Sequence, residues 1–167
     1  MTIKVGDKLP AGSLWELPVE WFAGCPTAAD EIKLPDAAKG KRIVMFGLPG
    51  AYTKTCSAQH VPGFVQEAGK FKAKGIDEIW CLASNDAFVM AAWGKELKAL
   101  GKVRMMGDGS ALYAKALGLE LDLVARGLGM RMQRFSMLVE DGVVKKFNLE
   151  APGKFEVSGA DKILAQL

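Results

Sequence analysis

The chain has 167 residues, half of them hydrophobic and a quarter charged, which is enough for one domain with a real buried core. Its formal net charge is +3, from 22 basic and 19 acidic residues interspersed along the sequence. That balance, with no run of Lys or Arg, argues against nucleic-acid binding, and no stretch approaches the ~18 apolar residues of a membrane span.

Met1 to Pro10 lacks the basic flank and apolar run of a signal peptide, so a cytoplasmic location is the expectation. Residues 17–40 are rich in Pro and Gly and read as loop with short extended pieces. Arg42-Ile43-Val44-Met45-Phe46 is an apolar run read as a buried strand, ended by Gly47-Leu48-Pro49-Gly50. Ser57 to Lys74 has helical spacing, with Val61, Phe64, Val65, Ala68 and Phe71 on one face. Pro62 should kink this helix or confine its first turn. Glu78 to Ala83 reads as a second buried strand, and Asp86 to Leu100 as a helix closed by Gly101. Val103 to Met106 is a third strand, and Ser110 to Leu117 a short helix ending at Gly118. Arg134 to Val139 meets Val143 to Phe147 across Asp141-Gly142, a hairpin signal, and Ala160 to Leu167 is a last helix.

This order predicts one α/β domain over residues 1–167, with a central mixed sheet flanked by helices; a thioredoxin-like arrangement fits.

Three cysteines (Cys25, Cys56 and Cys81) without CxxC spacing argue against a disulfide scaffold, a zinc site and a CxxC disulfide exchanger. The single histidine, His60, cannot anchor a multi-histidine metal site. The informative stretch is Phe46 to Cys56. A strand feeds a Gly/Pro turn, which delivers Cys56 to the start of a helix. Unpaired N–H groups and the partial positive charge of a helix start favour thiolate over thiol, and the thiolate is the nucleophile. Thr53 is placed to cap the helix or to reach the thiolate and a bound oxygen. Pro49 has no N–H and can cover the sulfur without competing for its hydrogen bonds. Arg131 and Arg134 are candidate cationic partners. Cys81, in an apolar strand, reads as an inert core thiol, and Cys25 as an incidental loop thiol. His60 reads as a residue that orients its surroundings by hydrogen bonding, with a general base as the alternative.

Pro49-x-x-x-Thr53-x-x-Cys56 resembles the active-site motif of the peroxiredoxins. Gly47 to Thr53, Ser57 to Phe64, Asn85-Asp86-Ala87-Phe88 with Trp93-Gly94, and Arg134-Phe135-Ser136-Met137 are similar to the type II, peroxiredoxin-five-like subfamily. The resemblance implies a thioredoxin-like fold and a thiol peroxidase acting on hydrogen peroxide and alkyl hydroperoxides. It implies Cys56 as the attacking thiol, Thr53 orienting the peroxide, Arg134 stabilising charge and Pro49 shielding the pocket. Gly50, Thr55, His60 and Phe88 are further candidates for the pocket wall. It also implies a homodimer, with no metal or organic cofactor. Two departures stand out. Lys54 stands where many relatives have Pro, and Glu150 to Leu167 lacks the second cysteine that some relatives carry. The expectation is therefore a one-cysteine cycle, reset by glutathione with glutaredoxin or by thioredoxin.

Overall fold

The computed structural model describes residues 1–17 and 28–167. Its first strands, β1 (Gly12–Glu16) and β2 (Asp30–Leu34), pair antiparallel. Sequence reading gave β2 only as one of the short extended pieces and missed β1. Only Leu14 of its five residues is buried, so no apolar run marks it.

β3 (Arg42–Leu48) continues two residues past its predicted end. Gly47 is not a turn residue; it pairs with Leu82 on one side and Phe135 on the other. A Cβ there would fall 2.8 Å from Met132 Sδ and run into the Phe135 ring, so glycine is required by close packing. The turn starts at Pro49. A wide, π-type turn follows at Cys56–His60, and α1 (Val61–Ala73) follows that. Pro62 accounts for the break: it has no N–H for the Ala58 carbonyl, and its ring crowds that carbonyl.

β4 (Glu78–Ala83) lies parallel to β3. α2 (Ala87–Glu96) is capped by Asp86, whose carboxylate accepts from Val89 N–H at 2.9 Å. α2 ends earlier than its spacing predicts. Lys98 takes a left-handed φ of 56°, and Ala99 N–H donates back to Gly94 C=O at 2.8 Å. This reversal buries Ala99 and Val103 and starts β5 (Arg104–Gly107) beside β4. Gly101, also left-handed, belongs to the following turn.

α3 (Leu112–Leu117) ends at left-handed Gly118, as its sequence indicates. β6 (Glu120–Leu123) and β7 (Gly129–Met132) form a separate antiparallel pair that the sequence reading missed. Their residues are mostly half-buried or exposed, so they carry no continuous apolar signal. β8 (Phe135–Glu140) and β9 (Val143–Leu149) form the predicted hairpin, with Asp141 and Gly142 both at positive φ, and α4 (Ala160–Leu164) closes the chain.

The main sheet has the order β2-β1-β5-β4-β3-β8-β9, parallel at β5-β4-β3 and antiparallel elsewhere. Alternation along β3 sorts its side chains into two cores. Ile43 and Met45 face Trp80, Tyr113 and Met137, while Val44, Phe46 and Leu48 face α1, Trp93 and Cys56. This mixed sheet covered by helices is the thioredoxin-like architecture expected of the sequence. Among the described residues no helix is long and apolar enough to cross a membrane.

Candidate active site

The carboxyl end of β3 delivers the chain into the turn 49–55, which two remote side chains and one of its own hold in place. Asn85 Oδ1 accepts from Ala51 N–H at 2.9 Å. Arg131, on β7, donates to Pro49 C=O at 3.3 Å and to Leu128 C=O at 2.6 Å. Thr53 Oγ1 donates to Gly50 C=O at 2.8 Å, so its lone pairs stay free to accept. A Cβ at Gly50 would meet Arg131 Nη1 at 2.6 Å, so a side chain there would displace the guanidinium that holds the turn. Tyr52 sits at φ 61°, a strained value for a residue with a side chain, and this is the kind of strain that clusters at functional sites.

Cys56 occupies the first turn after this bend and is fully buried. Arg134, the residue before β8, donates from Nη2 to Cys56 Sγ at 3.2 Å. That contact sets a cationic donor directly against the sulfur. Of the two candidate arginines, the fold therefore sets Arg134 on the sulfur and Arg131 on the turn. Trp93, buried on α2, donates to Ser57 Oγ at 3.1 Å and ties α2 to the turn behind Cys56.

His60 is fully buried between Phe46, Phe64 and Phe155. Its Nε2 lies 3.1 Å from Ser158 C=O and its Nδ1 lies 2.9 Å from Arg134 Nη1. A carbonyl only accepts, so Nε2 carries the proton and Nδ1 accepts from the guanidinium. Burial, then the adjacent Arg134 charge, lowers the His60 pKa to about 3. The ring is neutral at physiological pH, and both nitrogens are occupied.

Above Arg134 opens a cavity of about 440 Å³. Pro49, Thr55 and Arg134 line it with Leu121, Leu123 and Pro152, and Arg126 and Lys154 also contribute. Lys54 is exposed and is not part of this wall. Phe88 departs from the expectation: it is 44% exposed on α2 and lines a different groove, with Trp15, Leu112 and Tyr113. One α-helical residue either way changes which groove a side chain faces, and a motif match does not encode that.

Cys81 is fully buried in β4, and burial, reinforced by the nearby Cys56, pushes its thiol well above the usual range. Cys25 lies outside the described residues. Among the described residues, no group of three His, Cys, Asp or Glu is arranged to hold a metal. The sequence reading missed Asn85 as a turn anchor and the segment from Glu150 to Ser158 as a neighbour of the thiol. Asn85 stood within a noted motif. Nothing in the sequence of 150–158 points to the site.

Comparison with known proteins identifies the family. The redoxin family model matches residues 4–164. The chain is 46% identical to peroxiredoxin-2C of Oryza sativa subsp. japonica over 165 residues, covering 99% of this chain and 98% of the relative. It is 44% identical to Arabidopsis thaliana peroxiredoxin-2B over the same length and coverage. The structure of reduced Prx3 from Vibrio vulnificus in complex with hydrogen peroxide superposes with a TM-score of 0.91 at 42% identity, covering 99% of both chains. The chain belongs to the redoxin family, within which it is a type II peroxiredoxin. It is therefore a thiol-dependent peroxidase, taking a peroxide as substrate and a thiol as reductant.

Proposed function

We propose that Cys56 is the thiol that attacks the peroxide. The observation that carries this reading is the 3.2 Å bond from Arg134 to Cys56 Sγ beneath an open cavity. The thiolate attacks one peroxide oxygen and the O–O bond breaks. Sulfur is oxidised to sulfenic acid, and the other oxygen takes up a proton and leaves as water or an alcohol. Arg134 stabilises the thiolate and the charge growing on the leaving oxygen. Thr53 accepts from the peroxide O–H, while Pro49 and Thr55 shape the approach. Leu121, Leu123 and Pro152 give the cavity an apolar flank suited to alkyl hydroperoxides as well as hydrogen peroxide.

The sulfenic acid is then reset from outside. One external thiol condenses with it to a mixed disulfide, releasing water, and a second thiol frees Cys56 as the donor disulfide. We read glutathione with glutaredoxin, or thioredoxin, as that donor, and the cytoplasm as the reducing compartment. The inaccessibility of Cys81 supports an external donor. A homodimer is part of the same proposal. Exposed apolar side chains on segments flanking the site, Tyr52, Leu128 and Met130, support it.

Oxidation of the reduced protein with one equivalent of hydrogen peroxide, in the presence of a sulfenic-acid trap, tests the reading. A single adduct on Cys56, absent in Cys56→Ser and unchanged in Cys81→Ala, is the expected result. A Cys56–Cys81 or Cys25–Cys56 disulfide as the main product would refute the one-cysteine cycle. Equal oxidation of all three thiols would refute Cys56 as the reactive group.

A further inference from the structure

Glu150 directly follows β9 and is 7% exposed. One of its carboxylate oxygens accepts four hydrogen bonds from a single segment. They come from the N–H groups of Glu156, Val157 and Ser158 at 2.8, 2.7 and 2.8 Å, and from Ser158 Oγ at 2.9 Å. Burial disfavours the charge, but these bonds outweigh it and hold the Glu150 carboxyl below its ordinary pKa. The Glu150 N–H is itself bonded to Arg134 C=O at 3.0 Å.

The segment gathered in this way does two things at the thiol. Ser158 turns its carbonyl to His60 Nε2 at 3.1 Å. Phe155 lies against His60, with ring centroids 4.9 Å apart, and under the Arg134 guanidinium at 5.6 Å. An acceptor on Nε2 leaves Nδ1 as a lone pair. That lone pair takes Arg134 Nη1, and the fixed fork of the guanidinium then directs Nη2 at Cys56 Sγ.

We propose that Glu150 is a positioning residue for the peroxidase reaction: it clamps residues 156–158 so that the Ser158 carbonyl sets the tautomer of His60, and His60 in turn aims Arg134 at Cys56. A carboxylate at the margin of the cavity, bonded to neither Arg134's guanidinium nor the sulfur, thereby governs the reactive thiol through four successive contacts.

The proposal rests on the reading of Cys56 as the reactive thiol, so its test is read without turnover. His60 is the single histidine of the chain, and a nitrogen-15 correlation spectrum reports its tautomer directly. The neutral Nε2–H form is expected at pH 7 in the reduced protein; the Nδ1–H form overturns the proposal. Glu150→Ala is then compared with Glu150→Gln, which keeps an acceptor oxygen at the same reach, both in a Cys25→Ser background. In Glu150→Ala the tautomer signal should become mixed, and alkylation of Cys56 by iodoacetamide should slow about tenfold or more. Glu150→Gln should recover most of both. A folded Glu150→Ala with the parent's tautomer and alkylation rate overturns the proposal. If that variant does not fold, Glu150→Asp, which keeps the charge but falls one methylene short, is held to the same readings; if it also fails, the tautomer of the unaltered chain decides. Peroxidase activity surviving in Cys56→Ser would instead sink the underlying site reading and leave the alkylation result legible.

Discussion

Replacing Arg134 by methionine is expected to slow the reaction of Cys56 with hydrogen peroxide roughly 10²–10³-fold, the usual cost of removing one preorganised donor from a developing oxyanion. Methionine keeps an unbranched apolar stem but removes two bonds at once, that to Cys56 Sγ at 3.2 Å and that to His60 Nδ1 at 2.9 Å. The sulfur loses its cationic donor, and the leaving oxygen loses the fixed positive charge that offsets the negative charge it develops. Arg134→Lys should recover only part of the rate, because an ammonium is a point charge and cannot span both partners with a planar fork. Stopped-flow tryptophan fluorescence reads the bimolecular step, since Trp93 is bonded to Ser57 beside the thiol. Arg134→Met within threefold of the unaltered protein would mean that the contact stabilises nothing in the transition state.

The second large effect concerns stability in mild acid. Folded His60 stays neutral down to about pH 3, because burial and then Arg134 oppose its protonation. In the unfolded chain histidine protonates near pH 6.5. Between these values the unfolded state binds more protons, so stability is fully present above pH 6.5 and falls as pH decreases. The limiting slope is about 1.4 kcal/mol per pH unit. From pH 6.5 to 5, above the main carboxylate range, this single group should cost roughly 1.5–2 kcal/mol. Urea unfolding of the parent and of His60→Gln should therefore give curves that diverge over this window, with the parent losing the additional stability. The absolute stability of the variant is immaterial, because the slope carries the information. Parallel pH dependences would show that His60 titrates alike in both states, contrary to its burial. At lower pH Glu150 adds in the same direction: its carboxyl is held low, so its contribution is lost as pH falls through its folded value.

Much of this protein is legible from local pattern. The apolar runs of β3 and β4, the helical spacing of α1 and the Asp141-Gly142 turn are properties of short segments, and the physics that reads them acts over a few residues. The strand-turn-helix passage ending at Cys56 belongs to the same class, because turn residues and a helix start sit side by side in the chain. Elements with little apolar contrast, β1 and the β6–β7 pair, escaped because their strand character comes from partners supplied elsewhere. The end of α2 escaped for a related reason: apolar spacing continues past Glu96, but burial of Ala99 and Val103 forces a reversal that spacing cannot show.

At the site, sequence by itself determined the nucleophile candidate, its helix start, and the covering Pro49 and Thr53. Motif resemblance favoured Arg134 over Arg131. Only the tertiary structure assigned those two arginines, one to the sulfur and one to the Pro49 carbonyl, because each assignment spans about eighty positions and depends on how β7 and β8 dock on the turn. It alone moved Phe88 to another groove, and it alone joined His60 to Ser158 and Glu150. Those polar contacts are specific only after burial has excluded water and left each donor a single acceptor. That condition exists only in the folded protein.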